Sequence, residues 1–123
     1  MRRIHKIAFT GLVIALALPS GAALAQAARP SSFAMCGACH SVKAGENRLG
    51  PTLAGVAGRK PGAVAGFKYS AAMKAKGGKW TDAELDSFLA NPRAALPGTT
   101  MAFAGQKDAA KRAELVAYLK TLK

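Results

Sequence analysis

The sequence predicts a small all-α domain in which short helices are joined by long loops. Three segments after residue 69 open on a helix cap and carry apolar residues, while no run alternates as a strand would. Glycine and proline interrupt residues 41–66 so often that the stretch reads as loop. The 123 residues are enough for one small domain, without internal repeats or low-complexity tracts.

The elements follow in order. Arg29-Pro30-Ser31-Ser32 reads as a helix start, with Ser31 or Ser32 as the candidate N-cap. Phe33 to Cys39 is then a short first helix. Gly45, Gly50-Pro51, Gly55, Gly58, Pro61-Gly62 and Gly66 punctuate the long loop behind it. Ser70 caps a short helix to Lys76, ended by Gly77-Gly78. Thr81-Asp82-Ala83-Glu84 is a capping box, opening a helix through Leu85, Phe88 and Leu89 that Asn91-Pro92 stops. Leu96 to Thr100 is non-helical. Asp108 caps a last helix, with Leu115, Val116, Tyr118, Leu119 and Leu122 on its inner side.

Ahead of this domain stands an expected leader. Met1 to Lys6 is a positive n-region, Ile7 to Leu18 is mostly apolar, and Ala23-Leu24-Ala25 is an A-x-A cleavage site. Residues 1–25 thus read as a cleaved secretory signal peptide and 26–123 as the mature domain, which implies a periplasmic location. The 12-residue apolar run falls short of the roughly 20 needed to span a bilayer, so an uncleaved membrane anchor is the minor alternative. His5 belongs to the leader. Cleavage removes three of the 18 basic side chains, leaving 15 against 6 acidic ones, a formal +9. An exported chain with no groove-reading motif argues against nucleic acid as partner. Such charge suits acidic protein surfaces, with a plain solvated basic surface as the alternative.

The chemistry is concentrated in Met35-Cys36-Gly37-Ala38-Cys39-His40, which holds both cysteines of the chain. Cys-x-x-Cys-His is the attachment signature of a c-type haem. Two thiols three positions apart on a helical turn can each bond one vinyl group of a single porphyrin. The next residue, His40, is then held under the iron as an axial ligand. A zinc site would want four ligands, a redox dithiol would want a βαβ setting, and a disulfide across so small a loop would restrain little chain. A flat apolar cofactor also gives the long loop something to wrap, and it supplements an alanine-rich core.

A haem iron with one histidine takes a second ligand or keeps an open site. The mature chain has no second histidine, and its methionines are Met35, Met73 and Met101. Met35 lies on the segment of His40 and is badly placed for the opposite face. Met73 falls on an expected helix, where core filling is the default. Met101 lies on a loop behind Pro97-Gly98, 61 residues past His40, and is the candidate distal ligand. Its plain alternative is also core filling. A closed histidine/methionine iron leaves no room for substrate, and a thioether favours ferrous iron. That is the design of a one-electron carrier rather than an enzyme.

The ordered motifs resemble the class I cytochromes c of the mitochondrial and bacterial c2-like type, over roughly residues 33–122. They are Cys36–His40, Gly50–Leu53, Gly58-Arg59-Lys60, Gly66–Ser70, Lys79-Trp80, Asn91-Pro92, Leu96–Phe103 and Leu115–Leu119. The resemblance implies a class I cytochrome c fold wrapped around one haem c bound through Cys36 and Cys39, with His40 and Met101 as axial ligands. It implies that the Pro51 carbonyl accepts the His40 ring hydrogen. Tyr69 and Trp80 would bond one propionate with Arg59 nearby, and Thr99 the other. Leu115 and Tyr118 would pack the last helix against the first. Two departures stand out. Phe88 occupies a position where relatives often carry tyrosine, and Met73 one where many carry asparagine; the first implies a shifted potential.

The function expected is that of a soluble exported electron carrier between a quinol-oxidising (bc1-type) complex and a terminal oxidase or similar acceptor in a respiratory chain, acting as a monomer. Lys43, Arg48, Arg93 and Lys107 are the candidate docking cations. The rivals are a cytochrome subunit fixed to a larger redox enzyme and an open-site haem gas sensor or peroxidase.

Overall fold

The computed structural model describes residues 28–123. The leader expected over residues 1–25, its cleavage site and His5 lie outside the described residues. Among the described residues there are five α-helices, one 3-10 turn and no strand. The helices are α1 (Ala34–Gly37), α2 (Ala71–Ala75), α3 (Asp82–Ala90), α4 (Pro92–Ala95) and α5 (Ala109–Thr121).

The start of the first helix corrects the expectation. A 3-10 turn over Ser31–Phe33 leads directly into α1, Pro30 occupies the cap position, and no side chain caps it. The Pro30 carbonyl accepts the Phe33 N–H at 3.0 Å. Proline, already extended at φ −69° and ψ 150°, turns the chain into the helix by itself. Ser32 Oγ is buried with no partner, so neither serine is the cap.

The other caps fall where expected. Ser70 Oγ accepts the Met73 N–H and Asp108 Oδ1 accepts the N–H groups of Ala110 and Lys111. Thr81 Oγ1 accepts the Glu84 N–H, but the Glu84 carboxylate accepts from Lys76 Nζ at 2.6 Å rather than reaching back, so only half the box forms. Asn91 does more than end α3. Its Oδ1 accepts the Ala94 N–H and, with Pro92 in the first turn, starts α4.

The core sits where α3, α5 and the 3-10 turn meet. Phe33 is fully buried and Leu115 is 1% exposed; Leu85, Phe88, Leu89, Val116, Tyr118, Leu119 and Leu122 surround them. Phe33 meets Tyr118 edge-to-face with ring centroids 4.9 Å apart, which fastens the turn carrying the cysteines to α5. Arg29 reinforces that contact. Its Nε donates to the Tyr118 hydroxyl at 3.2 Å and its guanidinium lies 4.9 Å from the Phe33 ring centroid.

At the other end, the chain after Met101 is tied to α3. Gln106 N–H donates to the Leu89 carbonyl at 2.8 Å, and Lys107 Nζ donates to the Ala90 carbonyl at 2.7 Å. Arg112 pairs with Asp86 at 2.9 Å and also donates to the carbonyls of Gln106 and Lys107. Gly105 makes this approach possible. It has φ +106°, and a side chain there would run into the Ala90 carbonyl.

Phe33→Ala removes an aromatic ring with no exposure at all. We expect a loss of about 3–5 kcal/mol, read as a lowered denaturant midpoint with an unchanged slope; a loss below about 1 kcal/mol contradicts this view of the core.

Candidate haem site

The turn that ends α1 sets up the donor atoms. Cys39 N–H and His40 N–H both donate to the Cys36 carbonyl, at 3.0 and 2.9 Å. Both thiols are free and half-buried. Burial pushes the Cys36 thiol up, a backbone hydrogen bond lowers it and Cys39 raises it, for a net rise. A raised thiol is the opposite of what a nucleophilic dithiol needs. Among the described residues no three His, Cys, Asp or Glu side chains gather as a metal-holding group, so the zinc alternative lacks its ligands there.

His40 is held by the loop that follows. Its Nδ1 lies 2.7 Å from the Pro51 carbonyl oxygen, as expected. A carbonyl only accepts, so Nδ1 carries the hydrogen and Nε2 presents its lone pair. Burial lowers the His40 pKa, the Pro51 bond raises it and the charge of Arg59 lowers it, with a net fall. The ring is thus kept neutral, the form that coordinates a metal.

Gly50 is the residue that sequence reasoning treated only as part of a loop motif. It is buried, and a Cβ built on it would lie 2.6 and 2.8 Å from the two ring nitrogens of His40 and closer still to Cε1. Its N–H also donates to the Cys39 carbonyl at 2.9 Å. Backbone therefore lies flat against the imidazole. A glycine directly before Pro51 was the available signal.

Further crosslinks stiffen this loop. Ser41 Oγ donates to Glu46, Thr52 Oγ1 donates to the Lys43 carbonyl at 2.6 Å, and Leu53 N–H donates to the Ser41 carbonyl. Thr52 N–H donates to Asn47 Oδ1 at 3.0 Å, and Asn47 Nδ2 donates to the Ala65 carbonyl at 3.1 Å.

Arg59 is joined to Trp80 through the backbone and lies near Tyr69. Gly58 N–H donates to the Trp80 carbonyl and Trp80 N–H to the Arg59 carbonyl, at 2.8 and 2.9 Å. Arg59 Nη1 donates to the carbonyls of Thr52 and Ala54, both at 2.9 Å. Burial lowers the Arg59 pKa while nearby Tyr69 raises it, leaving a net fall. Tyr69 Oη accepts the Val64 N–H at 3.0 Å, and its ring meets Phe67 edge-on. Trp80 is buried between Phe88, at 5.1 Å between ring centroids, and the Lys76 ammonium, 5.1 Å from its ring.

Thr99 and Met101 share the loop after α4. Thr99 N–H donates to the Leu96 carbonyl, and Thr99 Oγ1 accepts the Met101 N–H at 3.4 Å. Met101 and Met73 are both half-buried and packed on the core, whereas Met35 is 59% exposed. Of the basic residues singled out for docking, Lys43 and Arg93 are exposed. Arg48 is exposed but pairs with Glu46 at 3.3 Å, and Lys107 is bound to the end of α3.

These residues fit a haem. Two free thiols sit one helical turn apart beside a neutral histidine with its Nε2 unprotonated. Arg59 Nε is buried with no protein acceptor, which is what an anionic propionate would satisfy. Fold and donor set define a small helical c-type haem protein.

Comparison with known proteins agrees. The family model described as cytochrome c matches residues 21–123. The chain is 50% identical to cytochrome c2 iso-2 of Magnetospirillum fulvum over 93 residues, which cover 76% of this chain and 97% of the relative. It is 52% identical over 87 residues to the cytochrome c-type cyt cy of Rhodobacter capsulatus, covering 71% of this chain and 43% of that protein. Cytochrome cH from Methylobacterium extorquens superposes with a TM-score of 0.69 at 44% identity, covering 73% of this chain and 91% of that one. The chain belongs to the class I cytochrome c family. It is accordingly an electron-transfer protein rather than an enzyme, and the family implies haem c as cofactor.

Two glycine substitutions separate the cradle from the rest of the motif. Gly50→Ala should destabilise the haem-loaded protein by about 1–3 kcal/mol and lower the haem bound per chain. Gly37→Ala, whose Cβ meets only Phe33 at an ordinary 3.6 Å, should cost nothing or stabilise by up to about 1 kcal/mol. Denaturation midpoints and haem absorbance per polypeptide check both.

Proposed function

We propose that this chain is an exported shuttle that carries single electrons from a quinol-oxidising, bc1-type complex to an oxidase-type acceptor in the periplasm. The observation that carries the reading is the neutral, Pro51-anchored His40 beside two free thiols, in a chain whose Met101 loop is fastened to the core. In this reading Cys36 and Cys39 hold one haem c covalently, and His40 and Met101 bind its iron. Arg59, Tyr69 and Trp80 hold one propionate and Thr99 the other. Haem bound this way supplies a one-electron ferric/ferrous couple.

The chain's own residues make that couple fit for transfer. Pro51 fixes the His40 tautomer, so no proton need move at the ring when the charge changes. The Gly50 backbone and the packed core hold the imidazole still, which keeps reorganisation small. The half-buried Arg59 guanidinium offsets a propionate charge that would otherwise be costly to bury. Expected export of residues 26–123 supports the periplasmic location, and no helix among the described residues is long and apolar enough to cross a membrane.

Docking is electrostatic in this reading. Exposed Lys43 and Arg93 are the principal cations. Arg48 contributes less, because Glu46 offsets its charge. The rate of electron exchange with an acidic partner should fall steeply as ionic strength rises, and Lys43→Gln and Arg93→Gln should each flatten that slope. A salt-independent rate removes the docking claim. The ferric protein should show the sulfur-to-iron charge-transfer band, and Met101→Ala should lose it and bind carbon monoxide rapidly when reduced. A band already missing at neutral pH, with rapid carbon monoxide binding by the unaltered protein, favours the gas-sensor rival.

A further inference from the structure

The peptide unit between Pro51 and Thr52 is bonded on both sides. Its carbonyl oxygen accepts from His40 Nδ1 at 2.7 Å, and its N–H, that of Thr52, donates to Asn47 Oδ1 at 3.0 Å. Asn47 Nδ2 continues the series to the Ala65 carbonyl at 3.1 Å. The two ends of the carboxamide thus face opposite kinds of partner, and this fixes which is oxygen and which nitrogen. Three groups in a row donate in the same direction, imidazole, peptide and carboxamide, and the Ala65 carbonyl accepts at the end.

We propose that Asn47 is a positioning residue that tunes His40 through this one peptide unit. The inference rests on the reading of His40 as an axial ligand. Hydrogen bonds in series polarise one another. An acceptor on the Thr52 N–H shifts electron density toward the Pro51 oxygen and makes it a stronger acceptor. The imidazole N–H is then pulled harder, the ring gains anionic character, and its other nitrogen becomes a better donor to iron. A better donor favours ferric iron, so Asn47 holds the potential down. Thr52 is buried, so its N–H would be left unpaired if Asn47 withdrew. Among the described residues Asn47 is the side chain that accepts it.

The test follows the His40 Nδ1 proton in the ferrous, haem-loaded protein by nuclear magnetic resonance, together with the midpoint potential. Asn47→Leu is expected to speed solvent exchange of that proton by about tenfold and to raise the potential. Should that variant fail to load haem, Asn47→Ser, too short to hold the same bond, is expected to give the same acceleration. Asn47→Asp keeps an oxygen for the Thr52 N–H and should leave the exchange rate near that of the unaltered protein. Ser41→Ala breaks a different crosslink of the same loop and should also leave it unchanged. An exchange rate indifferent to Asn47→Leu or Asn47→Ser, or equally accelerated by Ser41→Ala, overturns the relay. His40 ring resonances without a haem-induced displacement in the unaltered protein overturn the ligand reading and the relay together. Displaced resonances that ignore Asn47 overturn the relay alone.

Discussion

The 2.7 Å contact between His40 Nδ1 and the Pro51 carbonyl sets the geometry of the attachment turn and of the loop behind it. It chooses the tautomer and so decides that Nε2 is the nitrogen with a free lone pair. It also requires the loop after the attachment turn to double back beneath the imidazole, which Gly50 alone among residues can do without striking the ring. The crosslinks through Ser41, Glu46, Asn47 and Thr52 serve that geometry. They turn a stretch with no helix or strand into a rigid seat.

The helices act as the frame for this seat. Phe33 and Tyr118 join the cysteine-bearing turn to α5, and α5 packs on α3 through the apolar core. Trp80, just ahead of α3, is paired through its backbone with Gly58 and Arg59. Arg112 and Lys107 fasten the chain that follows Met101 to the end of α3. The proximal loop and the methionine loop are therefore both referred to the same helix pair, although they lie far apart in sequence.

Much of this was legible in the sequence, for physical reasons. Caps carry local chemistry, so Ser70, Thr81 and Asp108 identified their helices. The Cys36–His40 spacing follows from the dimensions of a helical turn, and the apolar face of α5 is periodic. What stayed hidden depends on contacts between distant residues. Pro30 rather than Ser31 or Ser32 sets the first helix, because the 3-10 turn closes on a backbone carbonyl. Asn91 ends one helix and caps the next, a double use that a stop signal does not reveal. Asn47 is one polar residue in a polar loop, and only the return of the chain at Thr52 and Ala65 gives it a role. Lys107 reads as a free surface cation in sequence, yet its ammonium is bound to the carbonyl that ends α3.

Whether one iron is held between His40 and Met101 can be read from the methionine methyl resonances. In the ferrous protein with labelled methionine methyls, Met101 alone should be displaced far outside the normal methyl range, while exposed Met35 and core-packed Met73 stay within it. A displaced Met73 methyl, or none displaced at all, would rule out Met101 as the ligand opposite His40.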